Sequence, residues 1–225
     1  MTLNTSQLVQ QMFSAGIHNG HKKSELNPKM RKYIYTEKNG LKIINILQTY
    51  KCLKKACRFL FESSKNGKRI LFIGTKKYMA KYIKYFANEC NSCYINKRWL
   101  GGFFTNWKTM RQSILKIQKE NTSTSKKESI RFERQKKRLV KYLGGVSSMY
   151  ELPDIVIIVG QQKELNAIKE CKKLNIKTLT ILDTDCDPDL TDLCIPANDD
   201  SLASINFVLN QLSKAIKEGQ KQSEA

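Results

Sequence analysis

The sequence predicts a doubly wound α/β domain that carries an inserted antiparallel helical hairpin of the coiled-coil kind. Short, nearly continuous apolar segments alternate with helical patterns, which is typical of a mostly parallel sheet covered on both faces. One segment, residues 105–143, interrupts this alternation with a hydrophobic repeat of helical spacing. The chain has 225 residues, 40% of them hydrophobic. That is enough for one such domain and a modest addition.

The first 64 residues predict a small β-hairpin between two helices. Apolar side chains from Leu8 to Phe13 have helical spacing, and Gly16 follows where a C-terminal cap belongs. Asn39 and Gly40 are typical of a tight hairpin turn. In order, the elements are a helix at 6–15, a loop at 16–32, strands at 33–36 and 41–46, and a helix at 49–64.

A βαβ alternation follows and predicts the parallel sheet. Its apolar strands lie at 69–73, 93–95, 155–159 and 178–182. Its helices lie at 78–88, at 164–174 and from 201 to about 218. Strands of this kind are buried on both faces, so the helices between them must cover both.

Residues 105–143 are expected to form the hairpin, and residues 1–104 and 144–225 the globular domain. Trp107, Met110, Ile114 and Ile117 repeat at 3-4-3 spacing. A polar break at 121–125 ends the first helix, and Ser125 with Glu128 has the spacing of a capping box for the second. The second helix holds eight basic residues between 126 and 141.

The charge distribution predicts a polyanionic partner. Residues 1–150 hold 32 Lys and Arg against 7 Asp and Glu, whereas residues 151–225 hold 8 against 13. Solubility alone needs a net charge of only about 2–8 in a small domain. Nucleic acid explains the excess better than an anionic membrane does, and no run of 18 apolar residues predicts a transmembrane helix.

The seven cysteines are predicted to be free thiols in a reducing compartment, because they are odd in number and no secretory signal precedes them. Cys90 and Cys93 are the one close pair. His18 and His21 could complete a zinc site with them only through a coincidence of the fold. We therefore predict no metal site.

An enzyme is the first alternative, because doubly wound sheets usually bind ligands at strand carboxyl ends. Gly74 to Lys76 follow a strand, but neither phosphate-binding glycine motif is present. The acidic segment 183–189 fails as a calcium loop, since Pro188 stands where glycine is needed. We predict no catalytic residue, no cofactor and no small-molecule substrate.

The nucleic-acid candidates are cations beside glycines, amides and aromatic rings. Glycines in the loop at 16–32 let the backbone approach phosphate. In the segment 96–108, Trp99 and Trp107 could stack on bases, but we expect both rings to pack in the core. Phosphate contacts are expected from Lys22, Lys23, Lys29, Arg31, Lys97, Arg98, Lys108, Arg111, Arg131 and Arg134.

Several motifs, in order, resemble those of the small-subunit ribosomal protein family numbered two. They are GIHNGH at 16–21, NPKM at 27–30, IGTK at 73–76, RWLGG at 98–102, TNW at 105–107, LGG at 143–145, LPD at 152–154, DTDCDP at 183–188 and IPANDD at 195–200. The resemblance covers nearly the whole chain. It implies a Rossmann-like domain without enzymatic function, which carries a helical hairpin and contacts small-subunit rRNA and neighbouring ribosomal proteins.

Three positions depart from the family pattern. The family usually has an aromatic residue at Asn19, a tryptophan at Leu26 and an acid at Gly160. The first two changes weaken a base-stacking role for the N-terminal loop. The third removes a potential ligand from the strand ends.

The segments at 155–162, 187–190 and 196–198 are most similar to plastid members of that family. Lysine outnumbers arginine 32 to 8, which fits an AT-rich organelle genome. With no transit peptide recognised, we expect a plastid-encoded protein of the plastid ribosome, with the bacterial cytoplasm as the alternative. A free-standing RNA-binding regulator is the remaining alternative.

Overall fold

The computed structural model of the protein describes residues 5–118 and 126–224. The helices are α1 (Thr5–Ser14), α2 (Ile46–Lys65), α3 (Ala80–Glu89), α4 (Trp107–Gln118), α5 (Lys126–Leu143), α6 (Leu165–Lys173) and α7 (Leu202–Glu224). The strands are β1 (Asn19–Lys22), β2 (Ile34–Lys38), β3 (Leu41–Ile44), β4 (Ile70–Ile73), β5 (Cys93–Ile95), β6 (Ile155–Val159), β7 (Lys177–Leu182) and β8 (Leu193–Pro196).

The main sheet is parallel throughout, in the order β5-β4-β6-β7-β8. Successive side chains of a strand point to opposite faces. In β4, Phe72 packs with residues of α2, α3 and α7 on one face, while Leu71 and Ile73 pack with residues of α6 and the ends of α4 and α5 on the other. Helices therefore cover both faces, and the predicted doubly wound α/β fold is confirmed.

The predicted β-hairpin is part of a three-stranded antiparallel sheet in the order β1-β3-β2. Asn39 and Gly40 have φ angles of 52° and 75° at the turn, the left-handed values of a two-residue hairpin loop. The prediction of an unbroken loop at 16–32 was wrong. The strand β1 lies within it, together with short 3-10 turns at Lys23–Glu25 and Pro28–Tyr33.

Helix α2 begins at Ile46 rather than at residue 49 because Asn45 caps it. The Asn45 Oδ1 atom accepts hydrogen bonds from the N–H groups of Leu47 at 3.1 Å and Gln48 at 3.3 Å. Asparagine is among the preferred residues at this position. The cap also ends the preceding strand at Ile44 instead of residue 46.

Helices α4 and α5 lie where the hairpin was predicted and contact each other. Ile114 of α4 and Leu143 of α5 are buried in the cluster that covers one face of the main sheet. The predicted polar break at 121–125 and the cap by Ser125 lie outside the described residues. The antiparallel hairpin stays a prediction.

Across residues 5–118 and 126–224, no helix combines the length and the sustained hydropathy that crossing a bilayer requires.

Candidate nucleic-acid interface

The loop between β5 and α4 is held in place by one buried acid, Glu170 of α6. Its carboxylate accepts hydrogen bonds from the Trp99 Nε1–H (2.9 Å), from the backbone N–H groups of Gly102 (2.9 Å), Phe104 (2.9 Å) and Thr105 (3.2 Å), and from the Thr105 hydroxyl (3.3 Å). An acid in α6 thus fixes the path of a loop that is distant in sequence.

Glu170 stays ionised in this setting. Burial opposes its charge, but the hydrogen bonds from Trp99 and from the backbone of the loop outweigh burial and lower the pKa of the Glu170 carboxyl. A carboxylate that accepts several hydrogen bonds is stabilised in its charged form. This role of Glu170 was not predicted from the sequence. Its signal was an acid three residues after Ala167, on the apolar face of a predicted helix.

The aromatic side chains of this loop face the core. Trp99, Phe103 and Phe104 are buried and contact one another, with ring centroids 4.9–5.4 Å apart. Trp107 is half-buried and its ring contacts Phe103 edge-on. The prediction that both tryptophans pack in the core is confirmed, since Trp99 is buried and Trp107 packs against the same cluster.

Four predicted cations remain exposed around this loop. Lys97 and Arg98 follow β5, and Lys108 and Arg111 occupy the first turns of α4. Glu170 lies behind the loop and is buried, so it does not cover these charges. The loop therefore presents cations outward while its rings point inward.

A basic recess opens beside this loop, and we call it the lysine recess. It has a volume of about 450 Å³, and four lysines line it: Lys81 and Lys84 of α3, Lys97, and Lys141 of α5. Sequence analysis found only Lys97. The available signal was the i, i+3 spacing of Lys81 and Lys84 in a predicted helix, which places both on one face.

The floor of the lysine recess requires a glycine. A Cβ atom on Gly145 would lie 2.2 Å from the Tyr94 carbonyl oxygen and 2.6 Å from its ring. Asn96 is fixed nearby, since its Nδ2 donates to the Ala80 carbonyl at 2.7 Å. The segment after α5 can thus lie directly against β5.

The exposed face of α5 carries a row of cations that we call the basic stripe. Arg131 and Arg134 are exposed as predicted, and so are Arg138 and Lys141. Their 3-4-3 spacing places them on one helical face, over about 15 Å of helix. Because Lys141 also lines the lysine recess, the stripe leads into it.

The predicted cations of the N-terminal region do not all stay available. Lys22, Lys23 and Arg31 are exposed, with Lys23 Nζ 3.7 Å from a Glu37 carboxylate oxygen. Lys29 instead forms ion pairs with Asp187 at 2.8 Å and Asp189 at 3.0 Å. Its charge is compensated within the chain.

The segment 183–189 acts as an acidic clamp for the antiparallel sheet. His21 Nδ1 lies 3.1 Å from buried Asp183, and His21 Nε2 lies 3.2 Å from Asp200. The backbone N–H of His21 donates to the Thr184 hydroxyl at 2.9 Å. The nearby Asp183 carboxylate raises the pKa of His21 to about 9, against a smaller opposing effect of burial.

The carboxyl ends of the parallel strands, where an enzyme of this fold would bind a nucleotide, are occupied by the protein's own side chains. The Thr75 N–H and hydroxyl both donate to buried Glu164, at 3.0 and 2.5 Å. Lys76 Nζ contacts Asp199 at 2.7 Å and Asp200 at 2.8 Å. The N–H, hydroxyl and ammonium groups that could bind a phosphate here already form hydrogen bonds or ion pairs with acids of the chain.

The cysteines and acids weighed for metal binding lie apart. Buried Cys90 donates to the Ser213 carbonyl at 3.6 Å, while Cys93 lies 3.6 Å from the Ser148 hydroxyl. In the described part of the chain, no three His, Cys, Asp or Glu side chains converge as a metal site would require.

Comparison with known proteins identifies relatives over nearly the whole chain. The family model described as Ribosomal protein S2 matches residues 12–219. The chain is 50% identical over 220 residues to small ribosomal subunit protein uS2c of Oltmannsiellopsis viridis, covering 94% of this chain and 92% of the relative. It is 47% identical to uS2c of Euglena gracilis, with 94% and 91% covered. Small ribosomal subunit protein uS2 of Synechococcus sp. (strain JA-2-3B'a(2-13)) is 47% identical, with 93% and 82% covered.

Proposed function

The chain belongs to the ribosomal protein S2 family, and we propose that it is a structural component of the small ribosomal subunit that binds the subunit's RNA and helps to assemble it. Family membership agrees with the prediction that the chain is not an enzyme, because the family is structural. Neighbouring small-subunit proteins are the further partners that we propose.

The observation that carries RNA binding is a set of charges without internal compensation. Lysines near the acidic clamp, such as Lys29 and Lys76, have carboxylate partners. The cations of the basic stripe and of the lysine recess have none among the described residues. Phosphate contacts supply much of the affinity in protein–nucleic acid complexes. We propose Lys22, Lys23, Arg31, Lys97, Arg98, Lys108, Arg111, Arg131 and Arg134 as phosphate contacts, with Lys29 as a secondary one.

We also propose that residues 105–143 extend from a globular domain formed by 1–104 and 144–225. The mutual contact of α4 and α5 supports this division, and so does the burial of Ile114 and Leu143 in the cluster against the sheet. The arrangement would hold the basic stripe out as an arm toward RNA.

A plastid ribosome is the proposed site of action, with a bacterial ribosome as the alternative. Relatives of the chloroplast type and of cyanobacteria both match the chain over more than nine-tenths of its length. The excess of lysine over arginine, 32 to 8, favours the plastid.

Charge reversal at the loop tests RNA binding. The variant Lys97→Glu/Arg98→Glu/Lys108→Glu replaces three exposed cations, so we expect it to keep its helical circular dichroism but to be lost from small subunits. The measurement is sedimentation of a host lysate through a sucrose gradient, followed by detection of the chain in the small-subunit fractions.

The matched control is Lys169→Glu/Lys214→Glu/Lys221→Glu, which makes the same charge change at exposed positions of the acidic C-terminal third. It should still travel with small subunits. The proposal fails if the loop variant assembles as well as the control, or if the unchanged chain sediments free of small subunits.

A further inference from the structure

We propose that the lysine recess binds a single unpaired nucleotide of RNA, with its phosphates held by the lysines and its base against Tyr94 and Tyr142. This inference rests on the proposed RNA-binding function and gives that function a defined site. Three observations carry it: the dimensions of the recess, the charges around it, and the aromatic side chains in its wall.

The dimensions suit one nucleotide. The volume of about 450 Å³ lies within the range of about 300–1,000 Å³ typical of small-ligand sites. The walls come from three separate parts of the chain: α3, the end of β5, and the end of α5 with the glycines after it. A recess of this volume can hold one extruded nucleotide but not a duplex.

The charges around the recess converge without an acid to balance them. Among the described residues, Lys81, Lys84 and Lys97 have no carboxylate within ion-pair distance. The Lys141 Nζ lies 5.5 Å from the centre of the Tyr142 ring, also without an acidic partner. None of the described residues that line the recess is acidic. Uncompensated cations around a concavity attract an anion.

The lining favours RNA over an acidic peptide. Tyr94 and Tyr142 both line the recess and are half-buried, so they are held in place while keeping exposed surface. Every base has a face that can stack on an aromatic ring, whereas a carboxylate side chain has none. The basic stripe runs into the recess through Lys141, and it can follow the backbone of the same strand.

A pair of RNA hairpins tests the proposal. They share one sequence, except that one carries a single unpaired nucleotide in its stem. Fluorescence anisotropy with the full chain should show the bulged hairpin bound roughly tenfold more tightly, the effect of one base–aromatic contact. The variant Lys81→Gln/Lys84→Gln/Lys97→Gln should bind both hairpins equally. The control Lys38→Gln/Lys51→Gln/Lys54→Gln, also at exposed positions, should keep the preference.

A second readout locates the base. With 4-thiouridine at the bulge, irradiation should crosslink the RNA to peptides containing Tyr94 or Tyr142, and the triple recess variant should lose this crosslink. Crosslinks that map only to other segments would overturn the proposal. So would displacement of the bulged RNA by a polyglutamate peptide as effectively as by unlabelled bulged RNA, since that would indicate a site for acidic peptides.

The outcomes separate the two proposals. Equal affinity of the unchanged chain for both hairpins, or a preference that survives in the recess variant, overturns the nucleotide site and leaves RNA binding intact. Failure to bind either hairpin or small-subunit rRNA at low ionic strength overturns RNA binding itself.

Discussion

Glu170 shows how a single side chain can shape a surface that it does not touch. Its carboxylate satisfies the Trp99 indole and the backbone of the loop, and this turns the rings inward. The cations of the loop then remain on the outside. A buried charge is tolerated here because hydrogen bonds replace its hydration.

Replacement of this acid should destabilise the fold. Glu170→Ala leaves several buried donors without an acceptor, and we expect it to lower the free energy of unfolding by about 3 kcal/mol, or Tm by about 6–12 °C. Glu170→Gln keeps the shape of the side chain and should lower the free energy of unfolding by about half as much. Thermal unfolding followed by circular dichroism measures both.

The stabilisation by Glu170 should decrease at low pH. The folded-state pKa of Glu170 lies below its ordinary value of 4.5, so its charge stabilises the fold fully above that pH. The stabilisation is lost as the pH falls through the lowered pKa. The difference between the unchanged chain and Glu170→Gln should therefore shrink on acidification. A difference that stays constant down to acid unfolding would contradict this account.

For single residues, the sequence predicts that the aromatic rings are buried but not which side chain fixes them there. Trp99 lies among apolar neighbours that must be buried, which is visible locally. Its partner Glu170 lies 71 residues away. An acid on an apolar helix face indicates that some buried donor exists but not which one, because tertiary packing chooses the partner.

Among the elements, the antiparallel sheet depends on ionic contacts as well as on packing. His21 of β1 joins this sheet to Asp183 of the acidic clamp and to Asp200. Lys29 adds ion pairs to Asp187 and Asp189. The acids that sequence analysis weighed as a metal loop thus hold one sheet against the other.

The clamp should weaken in alkali. His21 has a folded-state pKa of about 9 against an ordinary 6.5, so its contribution is complete below pH 6.5 and is lost as the pH rises through 9. We expect Tm to fall more steeply over this interval in the unchanged chain than in His21→Gln, as measured by differential scanning calorimetry.

His18→Gln is the matched control for this prediction. Burial lowers the pKa of His18, so its titration lies below the interval tested. The Tm of His18→Gln should therefore fall as steeply with rising pH as that of the unchanged chain. If the Tm of His21→Gln fell as steeply with rising pH as that of the unchanged chain, His21 would contribute no ionic stabilisation to the clamp.

The strands β1 and β8 were not predicted from the sequence, for different reasons. The strand β1 has the sequence NGHK, and only its pairing with β3 makes it a strand. The strand β8 is short and ends at Pro196, which cannot donate a ladder hydrogen bond. In contrast, β4 and β6 are wholly buried and could be predicted from their apolar runs.

In the molecule as a whole, some cations are paired with acids of the chain, whereas others are exposed and have no acidic partner among the described residues. The acidic residues of the last third are placed partly against the N-terminal sheet, and they neutralise His21, Lys29 and Lys76. Exposed cations of residues 1–150 lie on α3, on the loop after β5 and on α5, and others lie on α2 and in the N-terminal region. The net charge of +20 thus comes from the first two-thirds of the chain.

Such a surface should bind rRNA with a strong salt dependence. The logarithm of the affinity falls by about 0.7–0.9 per neutralised phosphate for each unit of log salt. With six or more phosphates contacted, we expect a loss of at least about three-hundredfold between 50 and 200 mM salt. Filter binding to small-subunit rRNA measures it, with circular dichroism at each salt concentration to show that the chain stays folded. An affinity that hardly changed over this range would contradict a phosphate-dominated interface.

The anchoring of the loop by Glu170 also bears on how quickly an encounter with RNA becomes a complex. A segment that is rigid before contact has little conformational freedom left to surrender, so docking need not wait for it to fold. The speed of capture is then governed by diffusion and long-range attraction. Ribosomal RNA would contact a loop that already has its final conformation.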